Sequence, residues 1–340
     1  MLRLANGEAG FFRAVELMRD GDVDTLVQLS GSGAMLVLTD NRITSLGRSL
    51  RATHSCATVP VAKRKISALV DISISLPDAD VLGANASIVG ERRGSLADMT
   101  TRFLRIAKLI PSAVLARIPS RDIIFQDRLA RDQNILIIEA RDIEQYGKQA
   151  AESLKIAARA KVPLDVDENA EVVMFRAEIG NEDHFAVLIG TGTEVEAPMV
   201  RLHSQCITGD VLGSLKCDCG EQLQTAMRMM ADAGGGVLVY LAQEGRDIGL
   251  LNKMRAYALQ DKGLDTVDAN HVLGFATDER VFLPAARILN ALGVTQLRLI
   301  TNNPDKISQL ERYGIKVKER LPMDISSNPY NEQYIATKKH

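Results

Sequence analysis

The chain has no tryptophan, few other aromatic residues and almost no net charge. Aromatic side chains make up 4% of the 340 residues, and the formal net charge is −2 at pH 7. Proteins that bind single-stranded nucleic acid need aromatic stacking platforms, and nucleic-acid binders in general carry a strongly basic face. The composition therefore argues against a dedicated nucleic-acid-binding protein, and we expect no nucleic-acid partner.

Long apolar runs are also missing. Residues 1–8 contain no apolar stretch typical of a signal peptide, and no segment approaches 18 uncharged apolar residues. We therefore predict no membrane-spanning helix, no membrane partner and a cytoplasmic location.

Cysteine is scarce, and its distribution is uneven. Four cysteines in 340 residues are too few for a disulfide-stabilised scaffold. Three of them, Cys206, Cys217 and Cys219, fall within fourteen residues, whereas Cys56 lies about 150 residues away. In a reducing compartment, clustered thiols indicate metal ligands or catalytic groups before they indicate disulfides.

The remaining sequence alternates helix and strand patterns, which predicts a mixed α/β (α+β) fold. The length suggests about two domains, and we place them at residues 1–157 and 158–340, with a polar linker candidate at 162–170. Strands are predicted at 34–38, 135–138, 171–176, 184–189, 237–241 and 296–300. Helices are predicted at 11–18, 144–160, 219–230, 248–260, 282–292 and 305–313.

The three clustered cysteines have the spacing C-x10-C-x-C. Thiolates are soft ligands that suit Zn²⁺, and three protein ligands leave one position open for water or substrate, as in catalytic zinc sites. Two other interpretations stay open on the spacing alone. The cysteines could be three buried apolar residues, or His203 could be a fourth ligand that closes a structural zinc site.

Several motifs follow the cysteines in a fixed order. They are Gln243-Glu244-Gly245-Arg246, Asn252-Lys253 with Arg255-Ala256-Tyr257, Asp278-Glu279-Arg280, Thr301-Asn302-Asn303-Pro304 with Lys306, and Asn328-Pro329. With the cysteine segment, they resemble the GTP cyclohydrolase II family of riboflavin biosynthesis over residues 158–338. The resemblance implies a GTP cyclohydrolase II-like domain in the second half of the chain.

This resemblance implies an activity and its cofactors. The family hydrolyses GTP, opens the imidazole ring and releases formate and pyrophosphate, giving 2,5-diamino-6-ribosylamino-4(3H)-pyrimidinone 5′-phosphate. Cys206, Cys217 and Cys219 would hold one Zn²⁺ per subunit, and Mg²⁺ would accompany the triphosphate. The family also implies a homodimer.

The resemblance further implies roles for single residues. Tyr257 would assist ring opening by hydrogen bonding, and Asp278 would accept a proton or orient Arg280. Arg280 matches a residue proposed to attack the α-phosphate, although a guanidinium is almost never neutral and is better suited to clamping phosphate. The residues implied in binding GTP are Arg201, Leu202, His203, Ser204, Gln205, Gln222, Glu244, Gly245, Arg246, Thr266, Thr301 and Lys306.

One departure from the family pattern lies beside the first cysteine, where Gln205 replaces the usual Glu. It leaves two alternatives open: a related enzyme acting on another nucleotide or pyrimidine, for instance in uracil catabolism, or a non-catalytic nucleotide-binding regulator with structural zinc. The first half lacks the acidic signature of dihydroxybutanone-phosphate synthase, the partner domain in many relatives. We predict that it is non-catalytic, with a degenerate fold of that kind as one interpretation.

Overall fold

The computed structural model describes residues 1–61, 64–76, 81–83, 85–180, 182–325 and 328–330. These residues form a mixed α/β fold with two seven-stranded sheets, as predicted. The strands are β1 Leu2–Arg3, β2 Ala9–Ala14, β3 Ala34–Thr39, β4 His54–Pro60, β5 Val89–Arg92, β6 Ala113–Ile118, β7 Ile138–Glu139, β8 Lys155–Lys161, β9 Glu171–Arg176, β10 Asp183–Gly190, β11 Met199–Ser204, β12 Gly235–Leu241, β13 Gln296–Ile300 and β14 Lys316–Leu321.

The helices range from four to fourteen residues. They are α1 Asp22–Ser30, α2 Asp40–Ser45, α3 Ile66–Ile74, α4 Leu96–Ile106, α5 Ile123–Asp132, α6 Ala140–Glu152, α7 Ile207–Asp210, α8 Cys219–Asp232, α9 Glu244–Asp247, α10 Leu250–Gln260, α11 Thr266–Val272, α12 Leu283–Ala291 and α13 Pro304–Arg312. Among the helices in these described ranges, none combines the length and apolar character that a membrane crossing requires.

The chain packs into two compact units that do not follow the predicted division at 157/158. The first unit contains Met1–Gln145 and also Leu251–Glu279, and the second contains Tyr146–Leu250 and the described residues from Arg280 onward. The position 157/158 itself falls inside β8. Helices α10 and α11 therefore pack with the first half of the chain, although their motifs resemble those of the second-domain family.

The first unit is built on a sheet with the order β5-β4-β3-β6-β2-β1-β7. All its neighbouring strands pair antiparallel except β1 and β7, which are parallel. The helix predicted at 11–18 is wrong. Residues of β2 pair with β6 instead, and Phe11, Ala14 and Val15 reach the core from a strand and a short 3-10 turn.

The sheet of the second unit has the order β14-β13-β11-β12-β10-β9-β8. Strands β14, β13, β11 and β12 are parallel, and β12, β10, β9 and β8 are antiparallel. Alternate residues of β12 point to opposite faces. Val239 belongs to one apolar cluster with Leu289 of α12, and Leu238 belongs to another with Met230 of α8.

Most predicted elements of the second unit are confirmed. Strands β9 and β13 have the predicted bounds, and α8 begins at Cys219 and is followed by Gly234 with a φ of 84°. The helix predicted to 160 is wrong beyond Glu152, because β8 pairs with β9 as an exposed edge strand. The segment 162–170 is the connection between these two antiparallel strands, and not a linker between domains.

Candidate active site

The polar segments of the second unit follow the carboxyl ends of its parallel strands. β11 ends at Ser204, β12 at Leu241 and β13 at Ile300. The first cysteine, the Gln243-Glu244 pair and Thr301 come directly after these ends. Because carboxyl ends of parallel strands meet at one edge of a sheet, and ligands bind in the crevice there, this edge is the candidate site.

Cys206, Cys217 and Cys219 meet at this edge. Their three Sγ atoms lie within 4.8 Å of one another, and the Sγ atoms of Cys206 and Cys217 are 3.7 Å apart. Three thiolates around one tetrahedral Zn²⁺ at 2.3 Å would place their sulfurs about 3.8 Å apart. The donor set and its spacing therefore fit a metal ion.

A close approach of two helices brings the sulfurs together. Gly209 lies in α7, and a Cβ added there would stand 2.8 Å from the Sγ of Cys217 and 3.1 Å from that of Cys206. A Cβ on Gly220, in α8, would stand 2.3 Å from the carbonyl oxygen of Gly209. Both glycines therefore provide the room in which the three thiols gather.

The sulfurs change one another's ionisation. The contact with Cys206 raises the pKa of the Cys217 thiol, and contacts with both other cysteines, together with burial, raise that of Cys219 well above its ordinary value. Thiolates placed this close repel, so a bound cation would supply the positive charge that lets them coexist.

The ring of His203 hydrogen-bonds to Asp210. Its Nε2 lies 3.1 Å from Asp210 Oδ1, and the same carboxylate accepts hydrogen bonds from the backbone N–H of Cys206 at 2.9 Å and the hydroxyl of Tyr240 at 2.8 Å. Burial lowers the pKa of His203, and Asp210 opposes that shift. In the described ranges the candidate metal-binding group consists of the three cysteines without His203, so the four-ligand interpretation loses its support.

Buried Arg201 and half-buried Gln222 form a polar pair beside the cysteines. The guanidinium of Arg201 donates from Nη2 to Gln222 Oε1 at 2.5 Å and from Nη1 to the carbonyl of Ile300 at 3.0 Å. Gln222 in turn donates to Asp218 Oδ2 at 2.6 Å. Burial lowers the pKa of Arg201 to about 10, so the group remains cationic at neutral pH.

Two further cations gather around the buried ring of Phe282. Arg280 and Lys306 lie 5.5 and 5.3 Å from its centroid. Arg280 also donates to the hydroxyl of Ser204 at 3.3 Å, and Lys306 donates to the carbonyl of Leu202 at 2.8 Å. Arg280 and Lys306 therefore supply cationic groups at this edge, which suit an anionic ligand.

The predicted Glu244-Gly245-Arg246 motif forms a sharp turn after β12. Glu244 is buried and accepts a hydrogen bond from the backbone N–H of Ile207 at 2.7 Å. Gly245 and Arg246 both adopt left-handed backbone conformations, with φ of 65° and 60°. Such a conformation costs a non-glycine residue about 1–2 kcal/mol, and strained residues of this kind cluster at functional sites.

Gln205 and Thr301 are held by local backbone contacts. The backbone N–H of Gln205 donates to the carbonyl of Leu241 at 2.8 Å, so the position that departs from the family pattern is bonded to the last residue of β12. Thr301 is almost fully buried, and its hydroxyl accepts from the backbone N–H of Asn303 at 3.0 Å.

Three predicted site residues belong to the first unit. Tyr257 is half-buried in α10 with Lys253 Nζ 5.8 Å from its ring centroid. Thr266 is the first residue of α11 and accepts a hydrogen bond from Gln260 at 3.2 Å, and Asp278 is exposed in the segment after that helix.

Sequence reasoning missed several residues that shape the site. Asp210, Tyr240 and Gly209 were not singled out, and Gln243 was named only as part of a motif, yet Asp210 accepts from the backbone of the first cysteine and Gln243 accepts from Ser204 while donating to the carbonyl of Val281. Asp210 lies four residues after Cys206, so an acidic residue one helical turn beyond a ligand was the available signal.

Known proteins are similar to the part of the chain that carries these residues. A family model described as GTP cyclohydrolase II matches residues 155–322. A GTP cyclohydrolase-2 from Azospirillum brasilense is 42% identical over 99% of this chain and 88% of its own length. A GTP cyclohydrolase-2 from Histophilus somni is 48% identical over 54% of this chain and 85% of its own length. The riboflavin biosynthesis protein RibBA of Phocaeicola vulgatus is 40% identical over 73% of this chain and 62% of its own length.

Proposed function

Because the chain belongs to the GTP cyclohydrolase II family and is an enzyme of that class, we propose that it opens the imidazole ring of GTP by hydrolysis, with release of formate and pyrophosphate. The product would be 2,5-diamino-6-ribosylamino-4(3H)-pyrimidinone 5′-phosphate, and the reaction the first step of riboflavin biosynthesis. The observation that carries this proposal is the group of three cysteine sulfurs within 4.8 Å of one another beside a cationic strand edge.

Cys206, Cys217 and Cys219 are the residues that would hold Zn²⁺. When bound, zinc in a three-ligand site supplies Lewis-acid activation of water for attack on the C8 carbon of guanine. The chain supports this chemistry by fixing the ligands, since Asp210 holds the backbone of Cys206 and Gly209 leaves room for the sulfurs.

The guanine base would be recognised by Glu244 and Gln222. A carboxylate can accept from both the N1–H and the 2-amino group of guanine, and Glu244 is held in place by its bond from Ile207. Gln222 is oriented by Arg201 and Asp218, which leaves its amide in a fixed direction. Residues 201–204 of β11 and Gln205, which follows that strand, would run alongside the nucleotide.

The triphosphate would be held by the cations at the strand edge. Arg280, Lys306 and Arg246 are the groups proposed to contact it, and Mg²⁺ would accompany the phosphates. We assign Arg280 the clamping and charge-stabilising role rather than that of a nucleophile, because a guanidinium is a cation with several donors that suit phosphate oxygens.

Tyr257 and Asp278 complete the proposal. Tyr257 would donate a hydrogen bond during ring opening, and Asp278 would accept a proton or orient Arg280. Thr266 and Thr301 are proposed nucleotide contacts, and a homodimer is the proposed assembly.

Purified protein incubated with GTP, Mg²⁺ and Zn²⁺ tests the proposal. We expect formate and pyrophosphate to appear together, in equal amounts, and to depend on added zinc after chelation. Turnover of another nucleotide without turnover of GTP would favour the related enzyme that Gln205 suggests. Tight binding of GTP without products would favour a regulator with structural zinc.

A further inference from the structure

The start of α2 holds the end of α11 within the first unit. Thr39 donates from Oγ1 to the carbonyl of Gly274 at 2.8 Å, and Asn41 donates from Nδ2 to the carbonyl of Phe275 at 2.8 Å. Arg42 donates from Nη1 to the carbonyl of Val272 at 3.0 Å. Three side chains from one turn of the first half therefore bind three carbonyls of the segment Leu251–Glu279.

Arg42 is the centre of this contact. Its side chain is buried, with 1% of the residue exposed, and it also donates from Nε to the carbonyl of Ile72 and from Nη2 to that of Ser75. The accepting carbonyls lie at the carboxyl ends of α3 and α11, where the helix dipoles are negative and the backbone lacks intrahelical partners. One guanidinium therefore joins two helix ends, and burial lowers its pKa only to about 10.

Other contacts hold both ends of the same segment. Asn252 donates to the carbonyl of Lys108 at 2.9 Å, and Arg255 pairs with the largely buried carboxylate of Glu16 at 2.7 Å. Near the far end, Arg105 pairs with Glu279 at 3.4 Å, next to Asp278. The segment is thus anchored within α10, which carries Tyr257, just after α11, which begins at Thr266, and at Glu279, next to Asp278.

We propose that Thr39, Asn41 and Arg42 are positioning residues for the reaction. They hold the segment Leu251–Glu279 in position, and this segment in turn determines the positions of Tyr257 and Asp278. The first half of the chain then contributes to turnover without supplying a catalytic group. This inference rests on the proposed function, because Tyr257 and Asp278 have their roles only there.

The variant Asn41→Ala tests the inference in the full-length, zinc-loaded protein. Loss of one anchor lets the segment leave its working position, and small displacements of reacting groups reduce turnover strongly. We expect kcat with GTP to fall about tenfold, with zinc content unchanged and the KM for GTP changed by less than about twofold. Hydrogen exchange in peptides covering 270–279 should become faster.

Two controls separate positioning from folding. Asn6→Ala removes an amide that accepts from the backbone of Glu8 in the same unit, and it should leave kcat and the exchange of 270–279 unchanged. Thr39→Ser keeps the hydroxyl donor to Gly274 and should retain turnover, whereas Thr39→Val should lower kcat as Asn41→Ala does.

The outcomes distinguish this inference from the proposed function. An inactive wild-type protein would overturn the proposed function, and this inference with it. An active wild type with an equally active Asn41→Ala protein would overturn the inference alone. Equal decreases of kcat in Thr39→Ser and Thr39→Val would also contradict the inference, because the hydroxyl donor to Gly274 would then make no difference to turnover.

Discussion

Asp210 connects the cysteine cluster to the sheet at the level of single side chains. Its carboxylate accepts from His203, from the Tyr240 hydroxyl and from the backbone N–H of Cys206. The ring of Tyr240 stacks on that of His203, with centroids 5.5 Å apart. A buried carboxylate with three donors is costly to disrupt, so the backbone of Cys206 is fixed before any metal binds.

The sulfur cluster gives the most direct prediction at this scale. Cys217→Ser replaces a soft thiolate with a hydroxyl, a much poorer ligand for zinc. We expect zinc content, measured by elemental analysis, to fall from about one per chain to a small fraction, and GTP ring opening to be lost.

Cys56→Ser is the matched control for that variant. Cys56 is fully buried in the first unit, and burial raises the pKa of its thiol to about 12, so it remains a neutral apolar group. This substitution should reduce thermal stability while leaving zinc content unchanged. Retained zinc and full activity in Cys217→Ser would refute the assignment of the metal site.

His203 predicts how stability depends on pH. Burial lowers its pKa in the folded protein below the ordinary value of 6.5. Between the lowered pKa and 6.5 the unfolded chain binds more protons than the folded one, so the free energy of unfolding falls as the pH decreases through that range. Thermal midpoints measured between pH 7.5 and 5.5 should therefore decline, and the decline should be smaller in His203→Gln. A steeper decline in the variant would contradict this.

The sequence predicted which single residues carry chemistry better than it predicted the side chains that surround them. Cys206, Cys217 and Cys219 were identified because cysteine is rare and their spacing is informative. Tyr240 was missed because its role depends on β11 and β12 lying side by side, with His203 opposite Tyr240. A pairing between strands separated by about thirty residues leaves no local sequence pattern.

At the scale of elements, the site depends on how closely α7 and α8 approach. The added Cβ of Gly220→Ala would stand 2.3 Å from the carbonyl oxygen of Gly209, and neither group is a flexible side chain. The two helices must separate, which moves Cys206 away from the other two cysteines. We expect zinc affinity to fall by about 10- to 100-fold in a competition titration with a chelator.

Gly147→Ala in α6 is the control for this prediction. Nothing lies within 4 Å of a Cβ at that position, and alanine favours helices more than glycine does. Its zinc affinity should match that of the wild type. An unchanged affinity in Gly220→Ala would mean that the packing of α7 on α8 does not set the geometry of the sulfurs.

Element predictions succeeded where local pattern and tertiary pairing agree. The short apolar runs of β3, β9 and β13 form paired strands as predicted, and Gly234 follows the end of α8. The element predictions failed at β2 and β8, which were both predicted to be helical. The alanine-rich β8 favours a helix by propensity, but its pairing with β9 at the edge of the sheet decides its conformation.

At the scale of the whole molecule, the division into units separates the predicted site residues. The cysteines, Glu244, Arg280 and Lys306 belong to the second unit, whereas Tyr257, Thr266 and Asp278 belong to the first. The order of motifs along the chain could not reveal this, because it records sequence neighbours and not packing partners. The first half of the chain is therefore a structural partner of a segment that the family motifs assign to catalysis.

Removing the first half is the prediction that follows at this scale. A chain that begins at residue 153 keeps β8 whole and retains all three cysteines. It would expose Val272, Leu273 and Phe275, each at most 2% exposed in the full chain. Burial of such side chains is worth about 1.5–3 kcal/mol each, so α10 and α11 should lose their ordered position while the sheet of the second unit remains.

We expect the shortened chain to bind about one zinc ion, to show rapid hydrogen exchange across 251–279 and to lose more than about 90% of its turnover with GTP. Loss of turnover with retained zinc is the informative combination of results. It would show that the second unit binds the metal by itself but needs the first half of the chain to position Tyr257 and Asp278. Adding the separately purified fragment 1–145 should restore part of the exchange protection if that fragment folds. A shortened chain with protected helices and full turnover would instead show that the second unit alone holds the segment in its working position.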